Sequence, residues 1–313
     1  MPSIVQFIHP QGEHKCNSFY KEWHDGDHRR KFVINKGSYV DNNIKHDDST
    51  LLFWCEWEPT SLVEKLKQPK NVLLNEVYPE YLHTPFLPPL EKIKEYQKNG
   101  YQNTDPFVFG KNFKYSICKQ DHYSFMKNLE KGSLILFGSC VKSRFVIDTV
   151  FIVKDKVPYI APVTEEIKFS KDCSESKIFS EIVLMMSCKE KIKEKERKRT
   201  LYIGASYDDT DESINNMYSF VPSIKDEGEK IGFPRLYLPD IEKINSYFSK
   251  WTKGKKIINN NLKQGLLPNH DININEINYL WNIIKETTLE KYVLGYNFEM
   301  PKENINYYKN IFK

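Results

Sequence analysis

NTDPFVFG (Asn103–Gly110), FKYSIC (Phe113–Cys118), SLILF (Ser133–Phe137) and FVIDTVFIV (Phe145–Val153) decide the fold. Aromatic and β-branched runs bounded by Gly and Pro pack as strands. A polar turn, Asn103-Thr104-Asp105-Pro106, opens this stretch, and Lys119-Gln120 closes its polar cluster. A short helix-like piece from His122 to Leu129 leads through Lys131-Gly132 to the two apolar strands. This order predicts an α+β fold whose N-terminal half is a small curved sheet or partial barrel.

Inside the last strand, Asp148 is flanked by Val146, Ile147, Val150 and Phe151. A carboxylate there must be paired, hydrogen-bonded or on a wet face, because an isolated buried charge is costly. Asp105 has two readings. As a structural residue it hydrogen-bonds its own turn, with Pro106 setting the strand that follows; as a functional one it faces a pocket together with Asn103 and Gln120.

Upstream, Ser3 to Ile8 reads as an apolar strand ending at His9-Pro10, followed by Gly12-Glu13-His14. Half of the eight histidines (His9, His14, His24 and His28) fall in the first 28 residues, among Glu13, Glu22, Asp25, Asp27, Arg29 and Arg30. Imidazoles and carboxylates at that density suit acid-base work. The spacing matches no zincin or zinc-deaminase motif, so no metal is expected and the segment reads as a polar, substrate-facing loop. His28-Arg29-Arg30-Lys31 is a cationic run that suits a phosphate, with the planar arginine fork offered to two oxygens, or else a solvated strand edge.

Leu51 to Pro59 reads as a strand with Phe53, Cys55 and Trp57 on one face and Trp54, Glu56 and Glu58 on the other. Trp54 beside Glu56 has the makings of a base pocket, since an aromatic face stacks on any base and a carboxylate accepts from exocyclic amines. Gly37 to Thr50 reads as a polar turn region, Thr60-Ser61-Leu62-Val63-Glu64 as a capped helix start, and Asn71 to Gln102 as a proline-rich wrapping loop without regular structure before Leu90. Lys177 to Arg199 carries a helical stripe and then, from Lys189, seven cations against three glutamates. Beyond it come a second set of strands from Leu201, an acidic turn at Asp208–Glu212, and helices from Asp240 to Trp251 and from Asn273 to about Leu294. The division expected is residues 1–160 as the β-rich core and 161–313 as a second small sheet plus helices.

The chain has 313 residues and a net charge of +4, too little to imply a polyanion partner by itself. Its 19 Tyr, 19 Phe and 5 Trp suit stacking pockets and cores alike. No segment has the apolar length to cross a bilayer and no secretion signal opens the chain, so a soluble, cytoplasmic protein without a membrane partner is expected. Six cysteines (Cys16, Cys55, Cys118, Cys140, Cys173 and Cys188) form no CxxC pair and read as reduced thiols.

Gly12-Glu13-His14, His28 to Phe32, Asn103 to Gly110 and Gly132 to Ser139 together resemble an uncharacterised bacterial family. It is similar to the nucleotide-modification-associated domains found near phage and DNA-modification genes. The order of elements in Leu51 to Leu66 and Tyr115 to Val153 is similar to that of EVE and PUA-type domains, small barrels that read modified bases in an aromatic pocket; Lys67 to Phe113 is a long insertion in that pattern. The resemblance implies a nucleotide or nucleic-acid partner, plausible in DNA modification or phage defence, and no cofactor.

Three functions follow from these residues. The first is a nucleotide or nucleic-acid binding protein that holds a base, modified or not, with Trp54 and Tyr115 stacking, Arg29 and Arg30 on phosphate, and Glu56, Asn103, Lys119 and Gln120 as polar contacts. The second is an enzyme acting on a nucleotide or modified base with Glu13, His14, His28 and Asp105 in acid-base roles. The third is a non-catalytic interaction subunit.

Overall fold

Asn42 and Asn43, at φ 47° and 61°, close a hairpin between β3 (Lys31–Asp41) and β4 (Ile44–Cys55). Lys142 and Ser143, at φ 46° and 61°, do the same between β8 (Leu134–Val141) and β9 (Arg144–Ala161). Two-residue loops with both φ values positive match the right-handed twist of the strands they join. These hairpins are the spines of two sheets in a computed structural model that describes residues 1–10, 12–16, 18–23, 28–69, 76–161, 179–187, 195–262 and 264–304.

The remaining strands are β1 (Ile4–His9), β2 (Tyr20–Lys21), β5 (Ser61–Lys65), β6 (Tyr81–Pro85), β7 (Lys114–Tyr115), β10 (Arg197–Gly204), β11 (Val221–Lys225), β12 (Leu236–Tyr237), β13 (Gly265–Asn269) and β14 (Val293–Phe298). The helices are α1 (Leu90–Asn99), α2 (Leu184–Ser187), α3 (Ile241–Thr252) and α4 (Ile274–Leu289). The first sheet runs β13-β1-β8-β9-β10-β7, with β12 also on β9; the second runs β14-β11-β4-β3-β6-β5-β2. Because β14 pairs with β3 as well as with β11, the strands β14, β11, β4 and β3 form a closed ring. The fold is therefore mixed α+β with two sheets.

The central strands of the first sheet, β1, β8 and the first half of β9, are buried on both faces. Val5, Phe7, Ile135, Phe137 and Phe151 pack with Val33, Leu51 and Phe53 of the second sheet. Ile4, Ile8, Leu134 and Leu136 pack under Phe248 of α3 and Ile277, Leu280 and Ile284 of α4. The Phe107–Phe109 run, expected to be the heart of the core, is fully buried between the sheets.

Several local expectations are corrected. Among the described residues the C-terminal half forms no small sheet of its own, for β13 pairs with β1, β11 with β4 and β14 with β3 across residue 160. Ser61–Lys65 is a strand between β2 and β6, its buried Ser61 and Val63 alternating inward; the ladder overrides the helix-capping signature, and the strand–Trp–helix order of the EVE and PUA likeness is not the order found there. Gly37–Thr50 forms the arms of the β3–β4 hairpin. Tyr81–Pro85 is a strand parallel to β3 despite the prolines around it, although α1 does begin at Leu90. The described part of Lys177–Arg199 is helical only from Phe179 to Ser187, and Arg197 to Arg199 belong to β10, paired with Tyr159–Ala161 of β9. His24, Asp25, Asp27, Cys173 and Cys188 lie outside the described residues; Cys16, Cys55, Cys118 and Cys140 are free thiols. Among the described residues no helix is long and apolar enough to cross a membrane.

Candidate functional site

The β8–β9 register skips one residue: Phe137 pairs with Thr149, Gly138 with Ile147, and Asp148 is left over. A bulge of this kind re-aims the extra side chain. Glycine is required opposite it, since a Cβ on Gly138 would lie 1.9 Å from the Val146 carbonyl oxygen. Asp148 points inward and accepts from Arg30 Nε at 2.8 Å, with Arg235 Nε at 3.4 Å. Arg30, 1% exposed, spends its other nitrogens on Glu56 Oε2 (2.5 Å) and His9 Nδ1 (2.6 Å). Arg235 lies 4.5 Å over the Trp54 ring and donates to Ser139 Oγ and to the Gly12 carbonyl.

Glu56 is the hub of this lattice. Its Oε1 accepts from His28 Nδ1 at 3.0 Å and from the Asp105 amide at 3.2 Å, while Oε2 faces Arg30 and, at 3.4 Å, His9 Nε2. Glu58 is paired with the buried Lys31 at 2.7 Å. His28, Glu56 and Glu58 bring three donor atoms within 4.8 Å of one another. Arg30 and Lys31 already supply positive charge to both carboxylates, so the cluster is neutralised by the protein's own cations.

The two histidines against Glu56 are driven in opposite directions. Burial, then the charge of Arg30, holds His9 well below the usual imidazole range, so it is neutral and its Nδ1 accepts from Arg30. Burial opposes charging of His28 too, but the Glu56 carboxylate outweighs it by charge and hydrogen bond and raises the imidazole above 6.5. Opposed shifts of neighbouring groups are how folds assign acid and base roles.

His9 and His28 form one wall of a cavity of about 430 Å³. Phe7, Ile8, Pro10 and Ile117 give it an apolar side; Asn103, Lys119, His122, Asp121, Arg197, Arg199 and Gln264 give it a polar one. Arg199 Nη2 and Arg197 Nη1 both contact Asp121 Oδ2, at 2.5 and 3.1 Å. Burial raises the Asp121 carboxyl, but the two arginines outweigh it and hold it below the usual range. Lys119 stands at φ 65°, half-buried, with no ion-pair or hydrogen-bond partner for its ammonium among the described residues.

Of the residues singled out from sequence, His28, Asn103 and Lys119 meet at this cavity, with Glu56 directly behind His28. Others are corrected. Asp105 is fully buried, and its carboxylate accepts from the amides of Ser116 (2.9 Å), Ile117 (2.8 Å) and Cys118 (2.6 Å), which makes it the clasp of the loop that carries Lys119. Burial lifts its pKa to about 7 against the pull of those amides. Gln120 is likewise spent, donating to the Thr200 carbonyl and accepting from the Thr200 amide. Tyr115 lies in the core, stacked on Tyr202, with its hydroxyl donating to the Cys118 carbonyl. Arg29 is exposed while Arg30 is buried in the lattice, so the two do not form one phosphate clamp.

Trp54, Glu13 and Arg235 meet elsewhere, at a small cavity of about 40 Å³. Trp54 is closed off by Arg235 and by its own bond to the Phe233 carbonyl, and Glu13 accepts from the amides of Glu80 and Tyr81. Burial raises Glu13 to about 7. His14 is bound through its backbone amide to the Arg30 carbonyl and does not line the larger cavity.

Sequence reading missed Asp121, His122, Arg197, Arg199 and Gln264 as cavity residues, and named His9 only as one of the clustered N-terminal histidines. The signal for the arginines was their spacing of two, which places both on one side of a strand; the lysine-rich run before them concealed it. Comparison of the chain with family models, with curated proteins and with solved structures finds no match in any of the three.

Proposed function

We propose that the protein binds a phosphate-bearing nucleotide, free or as part of a nucleic acid, in the cavity between His9, Lys119 and Arg199. The observation that carries this reading is the half-buried Lys119 ammonium, without a partner among the described residues, on the same cavity as Arg197 and Arg199. A half-buried cation without a counter-charge is a ready site for an anion, and arginine forks suit phosphate oxygens. The volume falls within the range of small-molecule sites. The apolar side formed by Phe7, Ile8, Pro10 and Ile117 suits a base, and Asn103 and Gln264 offer donors and acceptors to its edge. A modified base, and a setting in DNA modification or phage defence, are what the sequence resemblance adds.

Calorimetric titration with thymidine 5′-monophosphate, with thymidine and with inorganic phosphate tests the reading. The nucleotide is expected to bind, more weakly as salt rises, with thymidine alone much weaker. Equal affinity for thymidine and its monophosphate would remove the phosphate site.

A further inference from the structure

His28 meets the geometric description of an oriented acid-base group. Its Nδ1 is fixed by Glu56 at 3.0 Å, Glu56 is itself locked by Arg30 and the Asp105 amide, and the side chain is 18% exposed on the cavity wall. Nε2 has no partner among the described residues and is not sealed from solvent. A carboxylate on one ring nitrogen sets the tautomer and leaves the other to exchange a proton with a substrate. Glu56 is thus a positioning residue, and nothing in the lattice needs the Nε2 atom.

We infer that the cavity is an active site for phosphoester hydrolysis, with His28 as the catalytic residue. The inference rests on the phosphate-binding reading. The phosphoryl group lies against Lys119, Arg197 and Arg199, which take up the charge on its oxygens. A water oxygen adds to phosphorus as the bond from phosphorus to the leaving oxygen breaks. The leaving oxygen takes the proton on His28 Nε2, and the proton released by the water returns to Nε2, so that an ester and water become an alcohol and a phosphate of one lower ester order. His28 is faced by Glu56 and Glu58 from the β4 end, by Lys31 from β3 and by His9 from β1. The Glu56 carboxylate keeps the acid form of His28 to higher pH than in a free imidazole, so the rate is expected to fall as pH rises through that titration.

The test uses two diesters of thymidine 5′-monophosphate, one leaving p-nitrophenol and the other phenol, in buffer containing EDTA. Phenol leaves poorly and needs the proton; p-nitrophenolate does not. Wild-type protein is expected to hydrolyse both, and His28→Asn to lose on the order of 10²–10⁴-fold on the phenyl ester but less than about tenfold on the p-nitrophenyl ester. Binding of thymidine 5′-monophosphate to His28→Asn, with an unchanged melting temperature, shows that the variant is folded; His28→Gln serves if it is not. Nucleotide binding without turnover by wild type, or equal losses on both esters, would overturn the catalytic inference and leave the binding reading standing. Absence of binding would overturn both.

Discussion

Arg30 and Arg199 are both arginines held against carboxylates, yet they serve opposite ends. Around Arg30 every charge is answered: three of its nitrogens meet Asp148, Glu56 and His9, and Glu58 is met by Lys31. Around Arg199, Asp121 pairs with Arg199, Arg197 and, at 3.7 Å, Lys127, while Lys119 on the same cavity has no ion-pair or hydrogen-bond partner among the described residues. A saturated lattice welds the two sheets together. A cavity wall that carries a cation such as Lys119, unanswered among the described residues, has capacity left for a ligand, so whether a charge is answered, more than the residue type, separates structure from site.

The largest break in this contrast is Arg30→Ala. It strands Asp148 and Glu56 in the interior, and breaking a buried pair costs about 3–5 kcal/mol. Chemical denaturation is expected to show a loss of that size, whereas the exposed neighbour variant Arg29→Ala should move stability by no more than about 0.5 kcal/mol. Equal effects would mean that the lattice is not what joins the sheets.

Asp105→Asn comes next. The carboxylate accepts from three amides, whereas an asparagine offers one oxygen and turns its own N–H donors toward amide donors. About 1–3 kcal/mol of stability should be lost, and thermal melting checks it. A variant as stable as wild type would contradict the clasp.

A smaller effect isolates His9. Its native pKa lies well below that of the unfolded chain, so below about pH 6.5 the unfolded state takes up a proton that the native state refuses. His9→Asn removes that penalty and keeps an acceptor for Arg30. The stability gap between wild type and variant is therefore expected to narrow as pH falls from about 6.5 to 5, by up to about 1.4 kcal/mol per unit. The groups facing His9 are Arg30, His28, Lys119, Arg235 and Glu56, and both proteins retain them. A gap that stays constant over this range would mean that His9 charges freely in the native state.

The same contrast explains what could be read in the sequence. The apolar runs of β1, β4, β8 and β9 were legible because β-branched and aromatic residues cluster there, as was α4 from its apolar periodicity; the structure adds that the Asn273 side chain caps it by accepting from the Asn275 amide. The hairpin at Lys142-Ser143 was not, since neither residue advertises positive φ as Asn42-Asn43 does. At the site, His28, Asn103 and Lys119, singled out in the sequence, lie on the cavity wall and Glu56 lies behind His28, because polar groups punctuating apolar strands must be answered by something. What answers them depends on long-range partners, with Arg30 and Asp148 separated by 118 positions and Gln120 and Thr200 by 80. That is why Asp105 looked like an acid-base residue and Gln120 and Arg30 like ligand contacts in the sequence, whereas all three are bonded internally in the fold.

The most direct measurement is a calorimetric titration of thymidine 5′-monophosphate into wild type, Lys119→Ala and Arg29→Ala at one low ionic strength. If the unanswered cation on the cavity is the anchor, Lys119→Ala should weaken binding by about 10–100-fold, the equivalent of one charged hydrogen bond, while Arg29→Ala binds as wild type does. Wild-type affinity in Lys119→Ala, or an equal loss in Arg29→Ala, would contradict the account.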